Sequence, residues 1–242
     1  MQDLLNAAYQ PLVDLDLIYG RLGKGPATDA ILRELNGPFL VATNTEYENS
    51  SPRIVIVGQE NNGWMDDIAD YLGWVGTKSI EDALAVYRGF DISTYRYGTF
   101  SRYFSMFRDR LLGENPKGGR RGILWTNLFK LNHKGKQSIY SPLLESMLKL
   151  QEGVFEQEMN ALKPDAAIFL TGPRYDHIIK RFYPDVEFRA IDGHPVHEVA
   201  EVVATGLPKL SYRTYHPGYL NRIRSKKPHC IESIIPRILA AR

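Results

Sequence analysis

The sequence predicts an α/β protein of three layers, with helices on both faces of a central, mainly parallel sheet of four strands. Three observations predict this class. Short apolar runs rich in β-forming residues recur along the chain, as in IVIVG at 54–58 and DAAIFLTG at 165–172. Segments with helical spacing alternate with these runs, and each run ends in a glycine or a polar residue. Alternating strands and helices are typical of a parallel sheet that is covered on both faces.

The predicted elements form a helical N-terminal segment followed by an α/β core. Helical periodicity and end signals predict helices at 3–19, 28–35, 99–113, 141–162, 174–182 and 229–241, with shorter helical patches within 66–89. Strands are predicted at 54–58, 122–127, 165–172 and 208–216, with a weaker candidate at 186–191. Because parallel strands of such a sheet end at one edge, we expect Gly58, Asn127, Gly172 and His216 to lie along that edge.

The length and composition are typical of one large globular domain. The chain has 242 residues, of which 43% are apolar and 24% charged. We predict a single domain over 1–242, with 1–50 as a helical extension and 51–242 as the core. The single cysteine, Cys230, excludes a disulfide within the chain and an all-cysteine metal cluster. The first 20 residues lack a basic-then-apolar leader, and no apolar run has membrane-spanning length, so we expect a cytoplasmic protein. We also expect it to be a monomer.

Basic residues are concentrated in two segments. Residues 205–242 hold eight Lys and Arg against one acid, and residues 102–136 hold nine against two, so each segment carries +7. The net charge of the whole chain is only +2, which leaves −12 on the remainder. Two basic segments on an otherwise acidic chain indicate a surface that binds a polyanion such as nucleic acid.

Three polar residues at predicted strand ends indicate a chemistry. Glu60 follows the first strand, Asn127 ends the second and His216 follows the last. A carboxylate can orient water and stabilise a cationic sugar, an amide can read a base edge, and an imidazole can stabilise a departing base. The sequence contains neither the phosphate-binding G-x-G-x-x-G and G-x-x-x-x-G-K-[ST] motifs nor the G-x-S-x-G nucleophile motif. A carboxylate, an amide and an imidazole can together hydrolyse the glycosidic bond to a base.

In these motifs the sequence resembles the uracil-DNA glycosylase superfamily. GQENNG at 58–63 is similar to the superfamily's G-Q-D-P-Y-H or G-x-N-P-G motif after the first core strand. The asparagine of WTN at 125–127 is similar to its base-reading residue, and HPGYL at 216–220 to its second signature. The motifs occur in the family's order, and the resemblance covers roughly residues 50–242. It implies the family's three-layer fold, in a branch without the iron–sulfur cluster, which needs four cysteines.

The resemblance implies a role for each matched residue. Glu60 and His216 would be catalytic, with Gln59, or failing it Asp66, as the alternative residue that orients the water. Asn61, Asn62 and Asn127 would bind the base. We also expect one aromatic residue near the motifs to stack on the base, with Trp64 and Phe100 as our candidates, although neither is matched to a family motif. The residues that would contact DNA are Pro217, Gly218, Tyr219, Leu220, Arg222, Arg224, Lys226 and Lys227, with Leu220 as an exposed wedge that enters the base stack. Glu60 as a helix cap and Asn127 as a turn residue are the structural alternatives.

The sequence is compatible with two classes of substrate base. Strict uracil enzymes of the family carry a tyrosine that blocks C5-substituted pyrimidines, and Asn62 followed by Gly63 stands at that position here. We therefore favour a C5-modified pyrimidine, such as the modified cytosines of phage DNA, which would give the protein a role in defence against phage. Excision of uracil in DNA repair is the alternative. The expected partner is double-stranded DNA, with single-stranded DNA as a second possibility.

Other classes of function remain as alternatives. A noncatalytic nucleic-acid-binding module would keep the fold and the basic segments, and a small-molecule nucleoside hydrolase would not need those segments. The segment DGHPVHE at 192–198 offers Asp192, His194, His197 and Glu198 as a metal site, but histidines at this spacing beside acids are weak evidence. We interpret it as a loop and expect neither a metal nor a cofactor.

Overall fold

A computed structural model describes residues 1–61, 64, 71–90, 92, 98–113, 122–134, 136–191, 193–223 and 227–241, with only the backbone of 227–229. Its helices are α1 Gln2–Tyr9, α2 Leu15–Leu22, α3 Pro26–Arg33, α4 Thr45–Glu48, α5 Tyr71–Val75, α6 Ile80–Gly89, α7 Thr99–Leu112, α8 Leu144–Leu150, α9 Val154–Leu162, α10 Asp176–Phe182, α11 Pro217–Arg222, α12 Lys227–Glu232 and α13 Ile235–Ala240. Short 3-10 turns occupy Gln10–Leu12, Ser138–Tyr140 and Pro173–Tyr175.

The strands form one large sheet and one small ribbon. They are β1 Leu35–Asn36, β2 Ile54–Gly58, β3 Ile123–Asn127, β4 Asn132–His133, β5 Ala166–Phe169, β6 Glu187–Ala190, β7 Val199–Val203 and β8 Leu210–Thr214. β1 and β4 pair antiparallel, and the other six strands form a sheet in the order β3-β2-β5-β8-β7-β6. β2 and β8 both run parallel to β5, which lies between them, while β7 is antiparallel to β8 and to β6.

The predicted α/β class and central sheet are confirmed, but the prediction of four strands is wrong. The sheet has six strands in the described residues, because β6 and β7 extend it beyond β8. β6 is the weaker strand candidate at 186–191. β7 was missed, since VAEVV places Glu201 inside a short apolar run and lacks the uninterrupted apolar character of IVIVG. An antiparallel strand with one half-exposed face tolerates such a charge.

Several predicted helices are shorter than expected. The predicted helix at 141–162 is divided into α8 and α9, and Gly153 between them has φ 74°, a left-handed conformation that ends a helix. Gln151, in the same break, accepts from the Lys130 N–H at 2.9 Å and donates to the Leu128 carbonyl at 3.3 Å. The helices predicted at 3–19 and 229–241 are also each divided in two, whereas 99–113 is a continuous helix, α7, as predicted.

Cα positions group the chain into two compact units. Unit 1 comprises residues 1–42, 60–90 and 127–161, and unit 2 comprises 43–59, 91–126 and 162–242. The N-terminal helices α1, α2 and α3 are therefore grouped with segments from the middle of the sequence. The six-stranded sheet belongs to unit 2, apart from Asn127 at the end of β3.

Unit 1 contains a buried ionic cluster. The Lys130 ammonium donates to a Glu158 carboxylate oxygen at 2.7 Å, and both side chains have no solvent exposure. The Tyr9 hydroxyl donates to the other Glu158 oxygen and accepts from the Val41 N–H at 3.1 Å. Burial lowers the pKa of Lys130, and Glu158 opposes that shift. Burial also raises the pKa of Tyr9, and the neighbouring Glu158 raises it further. The cluster joins α1 and α9 to the segment that follows β3.

Unit 2 has an apolar core that lies against the sheet. Ile54 and Ile56 of β2 and Ala166 and Ile168 of β5 belong to it, as does Phe107 of α7. Further core residues come from the sheet and the residues beside its strands, namely Ile123, Leu170, Ile191, Val199 and Tyr212. Others come from α7, α11, α12, α13 and the residue before α13, namely Tyr103, Phe104, Leu111, Leu220, Cys230, Ile231, Ile234, Ile235 and Ile238. Across the described residues of the whole chain, no helix has the length and apolar character needed to cross a membrane.

We expect Glu158→Ala to lower the free energy of unfolding by about 3–5 kcal/mol, because it removes one partner of a buried ion pair and leaves the charge of Lys130 in the interior. Denaturant unfolding followed by circular dichroism measures this loss. The control is Glu81→Ala, since Glu81 forms a solvent-exposed pair with Arg88 in the same unit and such pairs contribute about 0–1 kcal/mol. Similar losses for the two variants would contradict a special role for the buried cluster.

Candidate functional site

The carboxyl ends of β2, β5 and β8 lie side by side in unit 2. The register pairs Val57 with Phe169 and Phe169 with Arg213, so the three parallel strands end at nearly the same level. Gln59, Thr171 and His216, which follow these strands, therefore lie at one edge of the sheet. This confirms the placement expected for Gly58, Gly172 and His216, and the edge is where open α/β sheets bind ligands.

A hydrogen bond from the Gln59 side chain links the end of β2 to the loop after β5. Its side-chain Nε2 donates to the Thr171 carbonyl at 2.7 Å. The next residue, Gly172, has φ 72° and donates its N–H to the Thr214 carbonyl at 2.9 Å. Only glycine adopts that φ without strain, so the turn brings the three strand ends together through two hydrogen bonds. The Gln59 side chain therefore stabilises the loop at the predicted site.

Thr171 is a site residue that the sequence analysis missed. Its side chain is buried, and among the described residues its Oγ1 has no hydrogen-bond partner. A buried hydroxyl without a partner costs stability, and such atoms are uncommon in folded proteins. The sequence signal was present, since TG follows the apolar run of β5 as GQ follows that of β2.

His216 is held as a neutral imidazole at this edge. It is the N-cap of α11, and its Nδ1 accepts a hydrogen bond from the Gly218 N–H at 3.1 Å. Burial lowers the pKa of His216 to about 4, and the nearby charge of Arg222 contributes to the shift. Because Nδ1 is the acceptor, the proton of the neutral ring is on Nε2. His216 therefore presents one N–H donor and carries no charge near neutral pH.

The segment after His216 is a short helix, and this changes which side chain is exposed. Leu220 is completely buried in the core of unit 2, so the prediction of an exposed Leu220 wedge is wrong. Tyr219 is 41% exposed, and its ring lies 4.6 Å from that of Tyr215. Arg222 is exposed, with its guanidinium 5.6 Å from the Tyr219 ring. Pro217 is buried, and Gly218 contributes its N–H to His216.

The basic segments carry fewer surface charges than their sequence indicates. Arg213 is buried and forms a two-pronged pair with Asp176, with nitrogen-to-oxygen distances of 3.0 Å. Lys130 is buried with Glu158, and Arg110 pairs with Glu232. Of the predicted DNA-contacting residues, Arg224 and Lys226 lie outside the described residues, and only the backbone of Lys227 is described.

Glu60 and Asn61 belong to unit 1. The Glu60 carboxylate accepts a hydrogen bond from the Ser138 N–H at 2.6 Å. The Asn61 side chain is buried, donates weakly to the Lys130 carbonyl at 3.4 Å, and has no partner for Oδ1 among the described residues. Ser138 was missed by the sequence analysis, because it lies in a segment with neither helical nor strand periodicity.

The remaining predicted base-binding residues have structural contacts. Trp64 packs edge-on against Phe39 and Phe90 in unit 1, with ring centroids 4.9 and 5.3 Å away. Asn127 is the last residue of β3 and is buried. In unit 2, the Phe100 ring lies 5.5 Å from that of Trp125. Asn62 lies outside the described residues, as does Asp66, the third candidate for orienting the water.

Comparison with protein-family models, with curated proteins and with solved structures found no match for this chain. The resemblance to the uracil-DNA glycosylase superfamily therefore depends on the three sequence motifs alone.

We expect the pKa of His216, measured by NMR titration of its ring nitrogens, to be about 4 rather than the ordinary 6.5. Arg222→Ala should raise it, because a nearby positive charge disfavours the imidazolium. Folding favours the neutral ring, so its contribution to stability is complete above pH 6.5 and is lost as the pH falls toward 4. Spectra of His216→Asn identify the resonance. A measured pKa at or above the ordinary value would contradict a half-buried, neutral ring.

Proposed function

We propose that this chain is a monofunctional DNA glycosylase that hydrolyses the bond between a flipped base and its sugar. The observation that carries the proposal is His216, a neutral N–H donor at the carboxyl edge of the sheet. The reaction class, hydrolysis of an N-glycosidic bond, is inferred from the resemblance of the three motifs, in their order, to those of the superfamily.

A neutral imidazole suits the departure of a base. When the C1′–N bond breaks, its electron pair remains on the base, which leaves as an anion with charge shared between its ring nitrogen and carbonyl oxygens. An N–H donor fixed in advance stabilises that charge as it develops, and fixed donors of this kind contribute strongly to transition-state stabilisation. The Gly218 N–H bound to Nδ1 directs the donor role to Nε2. His216 therefore acts on the leaving group.

Water must then add to C1′ and lose a proton, and Glu60 is our first candidate to orient it. A carboxylate has two oxygens and accepts several hydrogen bonds, so the bond from the Ser138 N–H fixes the side chain without exhausting its capacity. Gln59 is the alternative, although its amide already holds Thr171. Asp66 is the third candidate.

A C5-modified pyrimidine is our preferred substrate, with uracil as the alternative. The preference rests on Asn62 in place of a blocking tyrosine and is supported by Asn61. The buried Asn61 Oδ1 has no partner among the described residues, and a buried acceptor gains most from a ligand that brings a donor. The amino group of a cytosine and the hydroxyl of a substituent are both donors, which uracil lacks at those positions.

DNA binding is proposed to use the exposed side chains of α11. Tyr219 offers an aromatic face for stacking, and Arg222 offers a charge for phosphate. Tyr219 replaces Leu220 as the candidate that enters the base stack, because it is the exposed member of the pair.

The test of chemistry is single-turnover release of bases from matched duplexes that contain uracil, a thymine mismatch, 5-hydroxymethylcytosine or its glucosylated form. We expect His216→Ala to slow release by about 100-fold or more, the scale for loss of one transition-state donor. Glu60→Gln should reduce release by a comparable factor. The control is His177→Ala, since His177 is exposed on α10. An unchanged rate in His216→Ala would contradict the leaving-group role.

A noncatalytic DNA-binding module is the second candidate, favoured by the structural contacts of Glu60 and Gln59. Binding of all the duplexes without release of any base would support it. Release of uracil with refusal of every substituted base would instead support the repair enzyme.

For DNA binding, we expect charge reversal of Arg222, Arg224, Lys226 and Lys227 to weaken affinity for all sequences alike. Each lost phosphate contact should reduce the slope of log affinity against log salt by about 1. Lys78→Glu is the control, because Lys78 is an exposed basic residue outside both basic segments. Fluorescence anisotropy over a series of salt concentrations measures the slope. An unchanged slope would mean that these residues do not contact phosphate.

A further inference from the structure

A histidine, a glutamate and the chain's only cysteine converge in unit 2. The histidine and the glutamate belong to DGHPVHE at 192–198, the segment that the sequence analysis interpreted as a loop without a metal. His194 and Glu198 belong to the loop before β7, and Cys230 belongs to α12. One ligand atom from each residue lies within 4.8 Å of the other two. We propose that His194, Glu198 and Cys230 bind one divalent cation of the zinc type, such as Zn²⁺ or Co²⁺. The ion would link α12 to the loop before β7.

The separations suit a metal after a small contraction. Zinc bonds of about 2.0–2.3 Å place tetrahedral ligand atoms about 3.3–3.7 Å apart. His194 Nδ1 already lies 3.9 Å from a Glu198 carboxylate oxygen. The three ligand atoms lie within 4.8 Å of one another, so the largest separation must shorten by about 1 Å to match zinc geometry.

The histidine is oriented for this role by a neighbour. Ser233 Oγ is hydrogen-bonded to His194 Nε2, on the far side of the ring from Glu198. If Nε2 donates to the serine, the lone pair of Nδ1 faces the other two ligands. Metal-binding histidines are commonly oriented in this way, through a hydrogen bond from the nitrogen that does not bind the metal.

The glutamate is held by a rigid support. The Glu198 N–H donates to the Pro195 carbonyl at 2.9 Å, and its carbonyl accepts from the Thr214 hydroxyl at 3.2 Å. The buried Arg213 donates to the carbonyls of Val196 and His197 at 2.7 and 3.1 Å. These bonds fix the backbone of Glu198 against β8, so the carboxylate is attached at a fixed point beside His194. A fixed first ligand reduces the ordering cost of binding.

The ligand set selects the cation. A thiolate is a soft ligand and an imidazole a borderline one, and together with a carboxylate they suit Zn²⁺ or Co²⁺ rather than Mg²⁺ or Ca²⁺. Glu198 is 7% exposed and Cys230 is fully buried, so a cation would neutralise charge in a place that water reaches poorly. Three protein ligands leave a fourth position for water.

The experiment titrates Co²⁺ into the full chain after dialysis against a chelator and records absorption. We expect one ion per chain, tetrahedral d–d bands and a thiolate-to-cobalt charge-transfer band. Because the chain has a single cysteine, that band by itself identifies Cys230 without any mutation. Zn²⁺ should displace the cobalt and raise the melting temperature, while Mg²⁺ should do neither.

Variants then test the other residues. His194→Ala should abolish the band, and Ser233→Ala should weaken affinity by about 10- to 100-fold, the usual effect of losing such an orienting partner. The matched control is His197→Ala, since His197 neighbours Glu198 but its side chain is 64% exposed. Absence of the charge-transfer band in the wild-type chain overturns the proposal, and so does loss of binding in His197→Ala with retention in His194→Ala.

Discussion

The parallel register of β2, β5 and β8 is the constraint on which the candidate site depends. Parallel strands that pair in register must end together, so the residues after them meet at one edge. Gln59, Thr171 and Gly172 then connect the three ends through backbone carbonyls. Ile168 and Phe169 lie on opposite faces of the sheet, and a shift of β5 by one residue would exchange their faces. The apolar core of unit 2, which contains Ile168, therefore also fixes the geometry of the edge.

Much of the fold could be predicted because its strands are short, apolar and followed by glycine or polar residues. β2, β3, β5 and β8 have this form. β7 does not, because an antiparallel strand near the edge of the sheet is not buried on both faces and can carry Glu201. Breaks within helices were also missed, since the side-chain contacts of Gln151 with a distant backbone leave no local sequence pattern.

The strand-end position of His216 was predictable, but the state of its side chain was not. His216 was placed correctly, yet its tautomer depends on the Gly218 N–H and its charge on burial, both of which require three-dimensional structure. Tyr219 is exposed and Leu220 is buried because of the periodicity of the helix. In a short helix that starts at Pro217, residues 217 and 220 face the core, while 219 and 222 face outward. A loop, as assumed from the sequence, has no such phase.

Charge counting failed for a similar reason. Lys130 and Arg213 were counted as surface charges, but each is buried with one carboxylate and joins distant parts of its own unit. A buried pair costs desolvation of both ions, so these residues serve the fold and add little to any field that DNA would experience.

The hydrogen bond from Gly218 to His216 has a consequence for how this site can change in evolution. Because a main-chain N–H sets the tautomer, no substitution of a neighbouring side chain removes that donor, apart from a proline at 218, which has no N–H. The flanking residues other than Gly218 can therefore change while the imidazole keeps its orientation. A side chain at 218 would place its Cβ 3.3 Å from His216 Nδ1 and crowd the ring. If a carboxylate oriented the histidine, both side chains would have to be retained together. Here only the histidine and the backbone conformation that places the Gly218 N–H must be retained.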